Sequence, residues 1–350
     1  MRTININDLK SLIRHIAIRM DEPVFIWGPP GVGKTQALAQ VAYEEGMLHV
    51  DIRLAQYDAV DMRGLPTREA GNNSTVWLPP VTMPFEGNTL FPTDKLILLT
   101  LDEMNTAAPY IQAIAYQLVN ERRVGEHKLM DNVRVVAMGN REGDRGVTSK
   151  QPLPLANRFT HVELVVDRDA WIDYAVAVSL PEECVGFYMF RPALLTTFDP
   201  ARMDKAFATP RSSEKAWRYY GDAELPLDVK QIAMAGAVGE GVAAEIWAFV
   251  KVWREVVKLL PEILKNPSTA KVPTEASMQY ALTTYLSGVA CENAANGKLK
   301  DVLPAIDTYV GRMTADFQAT FWSLSGRRDK RIMSTKEFSD FAVRNKGLAR

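Results

Sequence analysis

The chain has 350 residues, 47% of them hydrophobic and 24% charged, with 41 basic residues against 42 acidic ones and a formal net charge of −1. That length allows one large domain or two ordinary ones, the composition excludes bulk disorder, and the balanced charge excludes a global field that would hold the molecule on nucleic-acid backbones or acidic membranes. Cys184 and Cys291 are the only cysteines and take no zinc spacing with His15, His49, His127 or His161; with no secretory leader and no bilayer-length apolar run, a soluble, cytoplasmic protein is expected.

In the first part of the chain, short apolar strands alternate with helices, the pattern of a parallel sheet covered on both faces. The first strand runs Val24 to Trp27. It leads into Gly28-Pro29-Pro30-Gly31-Val32-Gly33-Lys34-Thr35, a P-loop pattern that opens a helix. The glycines let backbone N–H groups wrap phosphates at the positive end of that helix, Lys34 reaches the β and γ phosphates, and Thr35 offers its hydroxyl to magnesium. The second strand covers Leu48 to Leu54. A stretch rich in Gly, Pro and Asn follows, too long for an ordinary connection, with a hairpin predicted from Thr67 to Trp77 around Asn72-Asn73. Trp77, Phe85 and Phe91 in this stretch either grip a substrate or, as aromatics more often do, cover the sheet.

Leu96 to Leu101 is the third strand, and it ends in Asp102-Glu103. Acids at that position are costly unless they hold a metal or a water; Asp102 suits the magnesium water shell and Glu103 a general base for the attacking water. The fourth strand, Val133 to Met138, ends in Gly139-Asn140, where a neutral amide either orients the same water or simply makes the turn. Leu155-Ala156-Asn157-Arg158-Phe159 precedes the fifth strand, Val162 to Val166. Arg158 there is either an arginine finger inserted into a neighbouring subunit's nucleotide, stabilising charge on the transferring phosphoryl group, or a surface salt-bridge partner.

After Asp167 helical spacing takes over, which divides the chain into a core at 1–167, a helical domain at 168–295 and a helical extension at 296–350. Ile246, Phe249, Val250, Trp253, Val256, Val257 and Leu260 recur at helical spacing and predict one helix with a broad apolar face. Arg211 stands at a helix start, where a cation is disfavoured by the dipole unless an anion lies near; a nucleotide phosphate is one such anion, and stacking on Trp217 is the rival reading. Gly326-Arg327-Arg328-Asp329-Lys330-Arg331 is the one dense basic run, either a solvated helix end or a contact for nucleic acid.

The order of these parts resembles the AAA+ ATPases, and the sequence around them is similar to the MoxR branch. The most specific blocks are Asp102-Glu103-Met104-Asn105 with Ala107 and Pro109, Val119-Asn120-Glu121-Arg122-Arg123, Ala137-Met138-Gly139-Asn140-Arg141-Glu142, and Thr209-Pro210-Arg211-Ser212. The resemblance implies an α/β P-loop core with the AAA+ order in a five-stranded parallel sheet, a helix-two insertion in the long loop after Leu54, a pre-sensor hairpin over Arg122 to Leu129, and an all-helical lid. It also implies ATP and Mg2+ as cofactors. By the same resemblance Gly28 to Thr35 bind the nucleotide, Thr35 and Asp102 serve the metal, Asp102 and Glu103 are the Walker B pair, Asn140 is sensor one, Arg158 the finger and Arg211 sensor two. Arg145 is a second candidate finger.

The resemblance further implies ATP hydrolysis in a homo-oligomer, a hexameric ring or spiral, and chaperone-like remodelling of a protein partner carrying a von Willebrand factor A domain. A nucleic-acid motor or loader using Arg122, Arg123, Lys128 and Arg134 around a pore, with the Arg327 to Arg331 run in support, is the alternative. No membrane association is expected.

Overall fold

The computed structural model describes residues 1–71, 73–141, 143–144, 157–202 and 204–345. Asn72, named for the expected hairpin turn, Glu142, the second finger candidate Arg145, and Leu155 and Ala156 lie outside the described residues. The chain forms two compact units, Met1–Asp167 with Asp199–Met203, and Arg168–Phe198 with Asp204–Arg350.

In the first unit the strands are β1 (Arg2–Ile4), β2 (Val24–Trp27), β3 (Leu48–Arg53), β6 (Ile97–Asp102), β9 (Val133–Gly139) and β10 (Thr160–Leu164), paired in the order β1-β10-β2-β9-β6-β3. Every pairing in this sheet is parallel. The expected parallel sheet is present, with one strand more than the five read from the sequence: β1 extends the sheet beyond β10 by pairing Arg2 with Val162 and Ile4 with Leu164. Central strands β2 and β6 are near-continuous runs of buried apolar residues, as strands covered on both faces must be. Edge strand β3 buries only Ile52 fully and carries exposed Asp51 and Arg53.

Side chains alternate between the two faces. Ile26, Leu98, Val136, Met138 and Val162 meet α1 (Ile6–Leu12), its π-helical continuation (Ile13–Arg19) and α2 (Lys34–Glu44) through Leu9, Ile13, Leu38 and Val41. Phe25, Trp27, Leu99, Leu101, Val135 and Ala137 face α4 (Pro109–Glu121) through Ile111, Ala115 and Leu118. The parallel register sets Trp27 beside Gly139 and Leu101 beside Ala137. The carboxyl ends of β2, β6 and β9 therefore open at one edge of the sheet, where ligands bind in open α/β folds.

The long loop folds as α3 (Ala59–Arg63) and an antiparallel hairpin of β4 (Leu65–Arg68) and β5 (Thr75–Leu78). Gly64 enters it at φ 85°, where a Cβ would stand 1.8 Å from Leu78 O, so no other residue fits. Phe85 is buried in the core and Phe91 packs against it, both covering the sheet. Trp77 instead lies under the Arg63 guanidinium at 5.1 Å and donates its backbone N–H to Glu126 Oε1 at 3.0 Å. Glu126 belongs to the second small hairpin, β7 (Arg123–Val124) and β8 (His127–Lys128). Arg122, read as part of that hairpin, is instead the left-handed residue that ends α4, at φ 53°.

The second unit is helical throughout: α5 (Arg168–Ala177), α6 (Glu182–Phe190), α7 (Pro210–Gly221), α8 (Leu227–Val238), α9 (Glu240–Val257), α10 (Leu260–Lys265), α11 (Ala276–Ala295), α12 (Leu299–Val310), α13 (Ala315–Arg328) and α14 (Lys336–Arg344). Helix α11 is its centre, packed by α6, α9, α12 and α13. The helix expected from Ile246 to Leu260 ends earlier: α9 stops at Val257, itself 36% exposed, and Leu260 starts α10 with Pro261 in the first turn.

Aromatic packing holds α6 against α9. A Cβ on Gly186 would stand 2.9 Å from Trp253 Cζ3 and 3.1 Å from Phe249 Cζ. Overpacking rigid rings costs about 1–3 kcal/mol, against about 1 kcal/mol gained by removing a helical glycine. Gly186→Ala is therefore expected to lower the stability of the protein, by up to about 2 kcal/mol in a denaturant titration. An unchanged or higher midpoint would show that α6 and α9 can slide apart at no cost.

Candidate nucleotide and metal site

The loop after β2 turns through Gly31 at φ 73° and Gly33 at φ 104°, backbone that side chains with a Cβ resist. Gly28 makes a close approach of another kind, since a Cβ there would stand 2.8 Å from Leu164 O on β10. Gly33 is the N-cap of α2 and supplies no side-chain acceptor, so the first-turn N–H groups of α2 are left to face the loop. Such a helix start, in a glycine-built curve, favours an anion.

Lys34 is only 8% exposed. Its ammonium donates to Gly28 O at 2.7 Å, Pro29 O at 3.1 Å and Asn140 Oδ1 at 3.2 Å. The cation is thus held across the mouth of the loop and tied to the tip of β9. Thr35 Oγ1 donates to Asp102 Oδ2 at 3.3 Å, which sets two hard oxygen donors side by side at the ends of α2 and β6. That donor set fits a magnesium ion, which prefers oxygen and commonly takes one or two protein ligands together with phosphate and water. The glycine curve, the helix start and the Lys34 ammonium fit a polyphosphate.

Glu103 follows Asp102 with φ 56°. For a non-glycine residue that conformation costs about 1–2 kcal/mol, and the surrounding bonds hold it. Glu103 N donates to Asp102 Oδ1 at 2.7 Å, Met104 N to Met138 O at 3.1 Å, and Thr106 Oγ1 to Glu103 O at 2.8 Å. Glu103 itself is half-buried. Among the described residues its carboxylate makes no hydrogen bond or ion pair.

Asn140 is anchored at two points. Its Oδ1 accepts from Lys34, and its backbone carbonyl accepts from Asn105 Nδ2 at 2.7 Å. Sequence reasoning assigned Asn105 no role; the signal was there in a polar residue just after the acidic pair, in a segment otherwise bound for the core. Phe159, buried against Phe25 with ring centroids 5.3 Å apart, anchors the turn that carries Arg158. Arg158 itself is exposed and makes no ion pair among the described residues.

Arg211 lies in the second unit, exposed in the first turn of α7. Thr209 and Ser212 cap that helix reciprocally, and Trp171 Nε1 donates to Pro210 O at 3.3 Å. Trp217 is fully buried, packed against Phe187 and Tyr220. It is not a stacking partner for an exposed guanidinium.

Apart from the exposed Lys330, the basic residues that suggested a nucleic-acid surface make bonds within the protein. Arg122 donates to Met130 O and Val133 O and pairs with Asp21; Arg134 donates to Ile18 O and Asp131 O; Lys128 pairs with Glu86; Arg123 donates to Gly125 O. In the basic run Arg327 pairs with Asp169 and Asp173, Arg328 with Glu182, and Arg331 with Asp329. No helix is long and apolar enough to cross a membrane among the described residues.

No protein-family model matches the chain, and no curated protein matches it. Among solved structures it is similar to a point mutant of Thermotoga maritima RuvB, at 13% identity over 74% of this chain and 73% of that one, with a TM-score of 0.34. A protein named as a candidate ATPase from Cytophaga hutchinsonii matches at 13% identity over 94% of this chain and 88% of that one, with a TM-score of 0.36. The Thermotoga maritima RuvB Holliday junction branch migration motor matches at 10% identity over 82% and 74%, with a TM-score of 0.30. Likenesses this distant carry no argument about function, which has to come from the geometry of this chain.

Proposed function

We propose that the chain is an ATP-hydrolysing AAA+ motor of MoxR type. The observation that supports it is the meeting of Lys34, Thr35, Asp102, Glu103 and Asn140 at the open ends of β2, β6 and β9. In this reading Gly28 to Thr35 and Asp102 hold ATP and Mg2+, with Thr35 and Asp102 nearest the metal. The bound metal and nucleotide supply charge neutralisation and the reacting phosphoryl group. The protein's own part is to position and to move a proton: Glu103 accepts it from the attacking water, and Asn140 orients that water. The bond broken joins the terminal phosphorus to its bridging oxygen, giving ADP and phosphate.

Arg158 is then the finger presented to the next copy in a hexameric ring or spiral, and Arg211 the second sensor on the helical lid. The motor acts as a chaperone-like remodeller of a protein partner, one carrying a von Willebrand factor A domain. The nucleic-acid alternative is the weaker reading, because Arg122, Arg134, Lys128, Arg327 and Arg328 bond to carbonyls and carboxylates of the same chain.

Hydrolysis measured against protein concentration, with particle size followed in the same samples, tests this reading. Specific activity is expected to rise as copies assemble, and Arg158→Ala to lose about a thousandfold or more while still binding ATP. Mixing Arg158→Ala with Glu103→Gln is expected to recover part of the activity, since each supplies what the other lacks. Flat specific activity, together with a fully active Arg158→Ala, would place the complete site within one chain and end the ring reading.

A further inference from the structure

Two short links fasten the turn that carries Glu103 to the strand that carries Asn140. One is a backbone bond, Met104 N to Met138 O at 3.1 Å. The other is the Asn105 side chain, whose Nδ2 donates to Asn140 O at 2.7 Å. Because a carbonyl only accepts, the atom facing it must be the amide nitrogen, and the orientation of Asn105 is settled by its partner.

The position is an expensive one for an amide. Asn105 is 1% exposed, and its Oδ1 is buried with no partner among the described residues. An unsatisfied buried acceptor costs about 1–3 kcal/mol, which an apolar side chain of similar size would avoid. The site has also been hollowed out to accept it. A Cβ on Gly139 would stand 2.2 Å from Asn105 Oδ1, so Asn105 fits only because residue 139 has no side chain.

We infer that Asn105 is a positioning residue for hydrolysis: it fixes the spacing between the Glu103 carboxylate and the Asn140 amide, the two groups that must meet one water. The inference rests on the roles proposed above for Glu103 and Asn140. Asn140 would otherwise be steered through its side chain alone, by a Lys34 ammonium that a bound phosphate also attracts. With Asn105 holding the backbone carbonyl, Asn140 keeps its place when Lys34 turns to the phosphate. A displacement of about 1 Å at a catalytic constellation costs about 100-fold in rate.

The test uses the full chain carrying Asn105→Ala, Gly139→Ala, or both, with three readouts: steady-state ATP turnover, affinity for a fluorescent ATP analogue, and thermal midpoint. Asn105→Ala is expected to turn over about 10- to 100-fold more slowly with analogue affinity within about twofold of wild type. In the double variant the methyl of residue 139 refills the space, so the midpoint is expected to recover relative to Asn105→Ala while turnover stays low. A purely structural role predicts that turnover recovers with the midpoint, and that result would overturn the inference, as would Asn105→Ala turning over within twofold of wild type. Should Asn105→Ala fail to fold, the double variant decides alone. If the wild-type protein itself binds no ATP analogue and turns over no ATP, the ATPase reading fails and takes the inference with it. If wild type is active and the variants match it, only the inference fails.

Discussion

Glu103→Gln is expected to lower ATP turnover by about 10²- to 10⁴-fold, the usual contribution of a general base, while ATP remains bound. An amide in place of the carboxylate keeps the shape and the left-handed backbone but cannot take a proton. The turn itself does not depend on the charge, since its bonds run through Glu103 N, Glu103 O and Met104 N. Structure and nucleotide affinity should therefore be close to wild type, and the loss should fall on the chemical step. Single-turnover hydrolysis on a preassembled sample, with analogue affinity measured in parallel, separates the two. Turnover within about threefold of wild type would remove Glu103 from the base role, because no group that contributes by proton transfer is lost so cheaply.

The parts of the site that were legible in the sequence are those written in consecutive residues. A P-loop is a strand, a glycine turn and a helix in one run, and the acidic pair closes an apolar run, so the composition of each segment already carries its geometry. What was not legible depends on residues far apart. Strand β1 has three residues, too few for a period to show, and exists because β10 offers it a free edge. Arg122 and Arg134 looked like a basic surface, but their hydrogen bonds to Met130 O, Val133 O and Ile18 O could be seen only once the chain was folded. The break between α9 and α10 had a local signal, Pro261, which the continuing apolar spacing to Leu260 masked. Asn105 is the clearest instance: its worth lies in the carbonyl of residue 140 and the missing side chain of residue 139, neither adjacent to it in sequence.

Lys34→Ala is expected to weaken ATP binding by about 2–5 kcal/mol, the cost of removing one partner of a buried charged contact, which is about 30-fold to several thousandfold in affinity. Two effects of the substitution must be kept apart. Lys34 also braces the loop, through Gly28 O, Pro29 O and Asn140 Oδ1, so its loss could weaken binding merely by loosening the loop. Lys34→Ala and Lys34→Met both remove the ammonium and these three bonds, so the thermal midpoint without nucleotide reports the bracing while analogue affinity reports bracing and phosphate contact together. If the phosphate contact dominates, both variants lose affinity to a similar degree even where Lys34→Met keeps the wild-type thermal midpoint. If bracing dominates, affinity falls only as far as the midpoint does, and a variant that keeps the wild-type midpoint keeps near-wild-type affinity. Affinity within about threefold of wild type in both variants would leave the loop without its phosphate-binding cation, a result incompatible with the nucleotide site as the glycines, the start of α2 and the Thr35–Asp102 pair otherwise describe it.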